Sequence, residues 1–153
     1  MIYAGVLVIH SWLRWLVLLA GVFAFVRATV GAATGKSWTP ADDRAGAFFA
    51  RIFDLQFLFG LVLYVFLSPF THAAFGNFGA AMKDHVSRFW AVEHIVGMFI
   101  AAALVHIGQI RARKTDSLRR HRVAAIFFGL ALAVILGSIP WPGLPYARPL
   151  LRW

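Results

Sequence analysis

The sequence predicts an all-α integral membrane protein, a four-helix up-and-down bundle that forms one domain over residues 1–153. Two observations support this fold class. Of the 153 residues, 61% are hydrophobic and only 14% are charged, whereas a soluble domain is usually about 45–50% apolar and about 25% charged. The apolar residues also fall into four runs, each near the ~20 residues that a helix needs to cross a bilayer.

The four predicted helices cover about 3–27, 46–68, 87–111 and 120–139. Pro69 ends the second helix, and Pro140 and Pro142 end the fourth, because proline has no amide hydrogen to continue the helical ladder. The links between the helices are rich in charged and turn-forming residues. The tail WPGLPYARPLLRW contains too many prolines for a helix.

Lysine and arginine predict the orientation of the bundle. They concentrate around the first and third loops, which contain GKSWTPADDR and RKTDSLRR. Because basic loops stay on the cytoplasmic side, we expect both termini on the outer, periplasmic side of a bacterial inner membrane. Topology and anionic lipid then account for the net charge of +9, so no nucleic-acid partner is expected. The lack of cysteine excludes thiolate zinc sites, iron–sulfur clusters and Cys-attached haem.

His10 and His94 are the candidate metal ligands. Each lies about seven residues into a helix that starts at the outer face, the first and the third, which places both roughly 10 Å deep. In an up-and-down bundle these helices are diagonal neighbours, which leaves room for a flat macrocycle. The pattern therefore predicts haem b with His10 and His94 as axial ligands to the iron. The alternative is that each histidine only hydrogen-bonds between helices.

Haem propionates need cationic partners, and Arg14 and Arg88 are the candidates. Arg14 lies one helical turn below His10, and Arg88 lies near the outer surface. Small residues around His94, namely Ala91, Gly97 and residues 101–103, would let a macrocycle approach.

His106 and His121 are the candidate ligands of a second haem. His106 lies about 18 Å beyond His94 along the same helix, but on a face turned by about 120°. His121 starts the fourth helix within RRHR and is expected at the membrane surface, exposed or in contact with phosphate. For His106 the alternatives are an interhelical hydrogen bond or a donor in a quinone site.

Three charged residues lie at membrane depth, where a charge is costly. Arg14 and Asp54 are expected at similar levels and are predicted to pair, and Glu93 lies just above, within reach of Arg14. One interpretation is a buried ion pair that sets helix register. The other is a proton path or quinone pocket in which Glu93 exchanges protons.

Four motifs resemble a family of small four-helix bacterial membrane proteins that are loosely labelled cytochrome b. They are HSWLRW (10–15), MKDHVSRFWAVEH (82–94), HIGQIRARK (106–114) and SIPWP (138–142). The resemblance covers nearly the whole chain. It implies haem b and a role in quinone-linked or respiratory electron transfer, with His10 and His94, and also His106 and His121, at the positions of family histidines. The spacing of His94 and His106 departs from the usual dihaem pattern, in which both face the same way.

The sequence predicts a membrane haem b electron-transfer protein that works beside other membrane subunits. One haem is expected, and a second haem is the open alternative. It would be an electron-transfer component of a quinol-linked oxidoreductase. The competing hypothesis is a cofactor-free accessory subunit of a respiratory or photosynthetic complex that packs against partner subunits, lipid, quinone or pigment. A small transporter has less in its favour, because the chain lacks internal repeats.

Overall fold

The computed structural model describes residues 1–152, without the side chains of residues 117 and 118. Within this part of the chain every regular element is a helix, so the all-α class is confirmed. The elements are α1 (Ile2–Thr34), α2 (Pro40–Leu67), α3 (Pro69–Gly76), α4 (Phe78–Ala81), α5 (His85–Lys114) and α6 (Ser117–Gly137).

Four of these helices, α1, α2, α5 and α6, are long and apolar enough to cross a membrane. Their outward faces are as apolar as their inward faces. Leu19, Phe66 and Ile126, for example, are 67%, 70% and 60% exposed. A helix that is apolar on all sides is matched to a lipid environment. By length and composition the chain is therefore of the multi-pass membrane type.

The helices extend beyond the apolar runs that predicted them. α1 continues to Thr34 and ends at Gly35, whose φ of 66° is left-handed. α2 begins at Pro40, six residues earlier than predicted, after a capping box in which the Thr39 amide and hydroxyl donate to Asp42 at 2.9 and 2.6 Å. Arg27 pairs with the other oxygen of that carboxylate at 2.7 Å. Polar residues that cap a helix end thus lengthen it past its membrane segment.

The second loop also differs from its prediction, because it is folded into α3 and α4. Ser68 caps α3 by accepting a hydrogen bond from the Thr71 amide, and Pro69 occupies the first turn. Asn77 caps α4 in the same way. Pro69 therefore both ends α2 and starts the next helix, since proline is tolerated in a first turn.

The four long helices pack in a cycle. α1 lies against α2 and α6, and α5 lies against α6 and α2. α1 and α5 are therefore diagonal, as the sequence predicted. The largest fully buried side chains, Phe49, Phe53, Phe128, Val17 and Val105, come from all four helices. The core thus fills the middle of the bundle.

Two of the long helices contain wide π turns near the same end of the bundle. Leu63–Leu67 ends α2, and Phe89–Glu93 lies within α5 just before His94. The hydroxyl of Tyr64 donates to the carbonyl oxygen of Ala91 at 2.6 Å, which ties the two turns together. A π turn adds a residue to a helical turn and rotates the side chains beyond it, and such turns are frequent at functional sites.

The first turn of α5 is capped by Asp84, which accepts a hydrogen bond from the Ser87 amide at 2.7 Å. That bond holds the pKa of Asp84 below its ordinary value of 3.8. Because folding lowers the pKa of Asp84, the cap gives its full stabilisation at pH values above the ordinary pKa. That stabilisation is lost as the pH falls through the lowered pKa of the folded state. We expect the protection of the Ser87 amide against hydrogen exchange, measured relative to its intrinsic exchange rate at the same pH, to fall in acid in the wild type, but not in Asp84→Asn, which caps without titrating. Equal acid sensitivity in both proteins would contradict this prediction.

Candidate functional site

A cavity lies among the four long helices at the end where the two π turns are found. It encloses about 1070 Å³ of space, including its open mouth. Its wall contains the following residues from the helices and the segment after α6: His10, Ser11, Arg14, Phe53, Gln56, Gly60, Tyr64, Trp90, His94, Met98, Ile135 and Ile139. His10 and His94 thus line one cavity. A smaller recess between α2 and α5 is lined by the same two histidines.

The imidazole of His94 is held in one tautomer. Its Nδ1 lies 2.8 Å from the carbonyl oxygen of Ser138, and a carbonyl can only accept, so Nδ1 carries the hydrogen. Nε2 is then the nitrogen with a lone pair. A backbone carbonyl that holds one nitrogen and leaves the other free is the usual arrangement behind a metal-ligating histidine.

His10 is held in a related way by Gln56 on α2. Its Nε2 lies 3.2 Å from the amide nitrogen of Gln56, while its Nδ1 is buried with no partner. The Gln56 amide oxygen is also buried and unpartnered. With that amide turned over, its oxygen accepts from Nε2–H and leaves Nδ1 with the lone pair. In that turned orientation Nδ1 is free to bind a metal, whereas in the orientation of the structure Nε2 accepts from Gln56 and Nδ1 carries the hydrogen.

Unpartnered polar atoms concentrate in this cavity. Among the described residues, five that line it have a buried nitrogen or oxygen without a hydrogen bond: His10, Ser11, Arg14, Gln56 and Trp90. The others are Trp38 and His121, at the opposite end of α1. Buried polar groups are nearly always paired in folded proteins, so each exception needs an explanation. A ligand with polar groups supplies one here.

Arginines at the cavity differ from those predicted. Arg14 lines it, but Arg88 does not. The Arg88 guanidinium instead contacts Glu93 at 2.7 Å and Nδ1 of His85 at 2.9 Å. Arg148 and Arg152, which the sequence did not single out as site residues, also line the cavity. Both arginines lie in the proline-rich tail, so their positions depend on how that tail packs against the helices.

The tail, residues 140–152, contributes Pro140, Arg148, Pro149 and Arg152 to the wall of the cavity. Trp12 and Trp15 donate through their indole nitrogens to the carbonyls of Arg152 and Leu150, each at 3.1 Å, and Arg14 donates to that of Leu150. The Tyr146 ring stacks on Phe89 with centroids 3.6 Å apart. The HSWLRW motif of α1 therefore supplies the groups that hold the tail.

The predicted Arg14–Asp54 pair is wrong, as is the reach of Glu93 to Arg14. Asp54 contacts Nε2 of His106 at 2.7 Å, and the two side chains are 53% and 46% exposed. Glu93 contacts Arg88, its neighbour across one helical turn. Depth arithmetic placed these groups at similar levels, but helix rotation decides which of them face each other.

His106 and His121 have separate surroundings. His106 contacts α2 through Asp54. His121 is buried, at 3% exposure, so its predicted exposure at the membrane surface is wrong. Its ring packs against Trp38 with centroids 4.8 Å apart and lies over Gly31 of α1. Within the described part of the chain the two imidazoles share no hydrogen-bond partner.

The small residues near His94 serve helix packing. Ala91 and Ala101 are buried at 2% and 0% exposure, and neither lines the cavity. A Cβ atom added at Gly97 would strike the side chain of Ser138. Gly97 therefore lets the end of α6 approach α5 closely enough for the Ser138 carbonyl to reach His94. None of these small residues, Ala91, Gly97 and residues 101–103, lines the cavity.

The fold and the cavity together define a class, a helical membrane-type protein whose interior cavity contains two histidines on diagonal helices. No family model, no curated protein and no solved structure matches the chain. The function must therefore be argued from the site.

Proposed function

We propose that the chain is an integral membrane haem b protein of the bacterial inner membrane, with His10 and His94 as axial ligands. One observation carries the proposal. His94, whose Nδ1–H is held by the Ser138 carbonyl so that Nε2 keeps its lone pair, lines the same cavity as His10, whose Nδ1 is buried without a partner. Two neutral imidazoles on diagonal helices form a bis-histidine site of the kind that holds haem in helical bundles.

The rest of the wall fits a large, flat, mostly apolar group with acidic substituents. Phe53, Met98 and Ile135 supply apolar contact, and Trp90 adds an aromatic face with a free indole N–H. Arg14 supplies a cation next to His10. Gly60 leaves room beside the His10 ring, because a Cβ there would lie 3.1 Å from its Cε1.

Haem bound by two imidazoles supplies reversible one-electron transfer. The protein's own residues set the conditions for it. Gln56 and the Ser138 carbonyl hold the imidazoles in orientation, and the apolar side chains of the wall would limit contact of the bound group with water. Both conditions would tune the potential of the bound group. A quinol in the membrane is the proposed electron donor, and a neighbouring membrane subunit is the proposed acceptor.

The proposed topology is four spans with both termini and α3–α4 on the periplasmic side. Basic residues support it, because Lys36 and Arg44 lie by the α1–α2 loop and Arg111, Arg113, Lys114, Arg119, Arg120 and Arg122 lie by the α5–α6 loop. Basic loops of this kind remain in the cytoplasm. The haem site would then lie in the periplasmic half of the membrane.

A visible spectrum tests the function. Protein purified in mild detergent should show a b-type spectrum when oxidised and when reduced with dithionite. A pyridine haemochrome assay should give one haem per chain, because His106 is engaged by Asp54 and His121 is packed on Gly31. We expect His106→Gln to keep that ratio. Two haems in the wild type and one in His106→Gln would restore the dihaem hypothesis. No chromophore in protein from its native membrane would favour an accessory subunit.

A further inference from the structure

The charge lining the cavity is entirely positive. Arg14, Arg148 and Arg152 all lie in its wall, and no Asp or Glu of the described residues lines it. None of the three arginines forms an ion pair with a carboxylate in the part of the chain that the structure describes. Three guanidinium groups around one cavity, with no carboxylate partner among the described residues, are electrostatically costly unless an anion joins them. The arrangement favours a ligand with acidic groups.

Arg14 is oriented by the tail but not fully paired. Its Nη2 donates to the carbonyl oxygen of Leu150, and its guanidinium carbon lies 5.4 Å from the centre of the Trp15 ring. Its Nε is buried without a partner. A guanidinium that still has a buried free N–H is suited to an oxygen of a carboxylate.

Arg148 is held by aromatic faces. Its guanidinium carbon lies 4.5 Å from the centre of the Phe70 ring and 5.0 Å from that of Trp90. Its Nη1 donates to the carbonyl of the adjacent Ala147 at 3.2 Å. Stacking positions a guanidinium plane but leaves most of its N–H groups available in the plane.

The anchored tail brings Arg152 to the wall of the same cavity. The Trp12 indole holds the backbone of Arg152, and the Trp15 indole holds that of Leu150. These bonds join two turns of α1 to the last described residues, although the tail forms no helix. The tail is thus a strap across the cavity that carries two of its three cations.

We propose that Arg14, Arg148 and Arg152 form a binding site for carboxylate groups of the ligand in the cavity, and that the tail closes over them as a strap. The proposal rests on the proposed function, in which those groups are the two propionates of haem. It assigns specificity for the free acid to Arg14 of α1 together with two residues of the tail, which lie outside the helices. Arg88, already paired with Glu93, takes no part.

The test compares haem with its dimethyl ester, which has the same macrocycle and iron but no carboxylates. Each is titrated into haem-free protein in detergent, and binding is followed by the b-type spectrum. We expect the wild type to bind the free acid about tenfold or more tightly than the ester, the size expected for charge-assisted bonds. The double variant Arg148→Gln with Arg152→Gln should lose most of that preference while keeping the bis-histidine spectrum.

Two further variants separate charge from structure. Arg148→Lys with Arg152→Lys keeps the charge and should recover part of the preference. Lys83→Gln with Arg44→Gln removes two exposed cations away from the cavity and should retain all of it. The strap proposal would be wrong if the wild type bound both haem forms equally, or if the Gln variant kept the full preference for the free acid. Neither result would contradict the haem site itself. If the wild type binds neither form, the proposed function fails and the strap fails with it.

Discussion

Protein in which both His10 and His94 are replaced by alanine should contain no haem, and each single variant should lose the low-spin bis-histidine spectrum. The reason is that the two rings supply the only pair of imidazoles lining the cavity among the described residues. Loss of one ligand leaves the iron five-coordinate and weakly held. The absorbance ratio of haem to protein after purification measures the effect.

Rescue by added imidazole distinguishes the loss of a haem ligand from damage to the fold. The alanine variants leave a gap of about one imidazole, so added imidazole should restore a low-spin spectrum in the single variants. The matched control is His106→Ala, which removes an imidazole from the same helix outside the cavity and should keep full haem. Helix content by circular dichroism should be the same in all of these proteins. Full haem in His10→Ala and His94→Ala would show that the assignment is wrong.

Gly97→Ala is expected to weaken haem binding without touching the haem site. The added Cβ would lie 3.2 Å from the Cβ of Ser138 and would strike its hydroxyl, so the hydroxyl must turn and the end of α6 must shift by a few tenths of an ångström. That movement lengthens the bond from His94 to the Ser138 carbonyl, now 2.8 Å. Losing such an outer partner typically reduces metal affinity about 10–100-fold. Overpacking adds a stability cost of about 1–3 kcal/mol.

Gly137→Ala is the matched control, because the same change one residue from Ser138 meets nothing within 4 Å. We expect it to keep wild-type haem affinity and stability. Both variants are compared by haem titration and by thermal unfolding in detergent. If Gly97→Ala binds haem as tightly as Gly137→Ala, the Ser138 carbonyl does not orient His94 for a ligand.

Much of the site could be anticipated from spacing along single helices. His10 and His94 were paired because each lies the same distance into its helix, and that arithmetic uses only the rise per residue. The same arithmetic failed for Arg14 and Asp54. Depth alone does not say which way a side chain points, and the π turn before His94 changes that direction within α5. No residue pattern in FWAVE signals such a turn.

The groups that hydrogen-bond to the two histidines could not be predicted from the sequence. Gln56 is a neutral polar residue in a membrane helix, and nothing in the sequence pairs it with His10. The Ser138 carbonyl is a backbone atom, which no side-chain pattern reveals. Arg148 and Arg152 lie in a tail without periodicity, and their position depends on three side chains of α1 more than 130 residues away.

The all-helical class, four apolar segments long enough for a bilayer and two histidines at similar predicted depth all follow from the sequence. Local rules are sufficient for them, since apolar length and helical rise are properties of a single segment. The pairing of Asp54 with His106, the burial of His121 and the two tail arginines in the cavity wall could not be read from the sequence. Those outcomes depend on helix rotation and on contacts between distant segments, which the packing of the whole bundle determines.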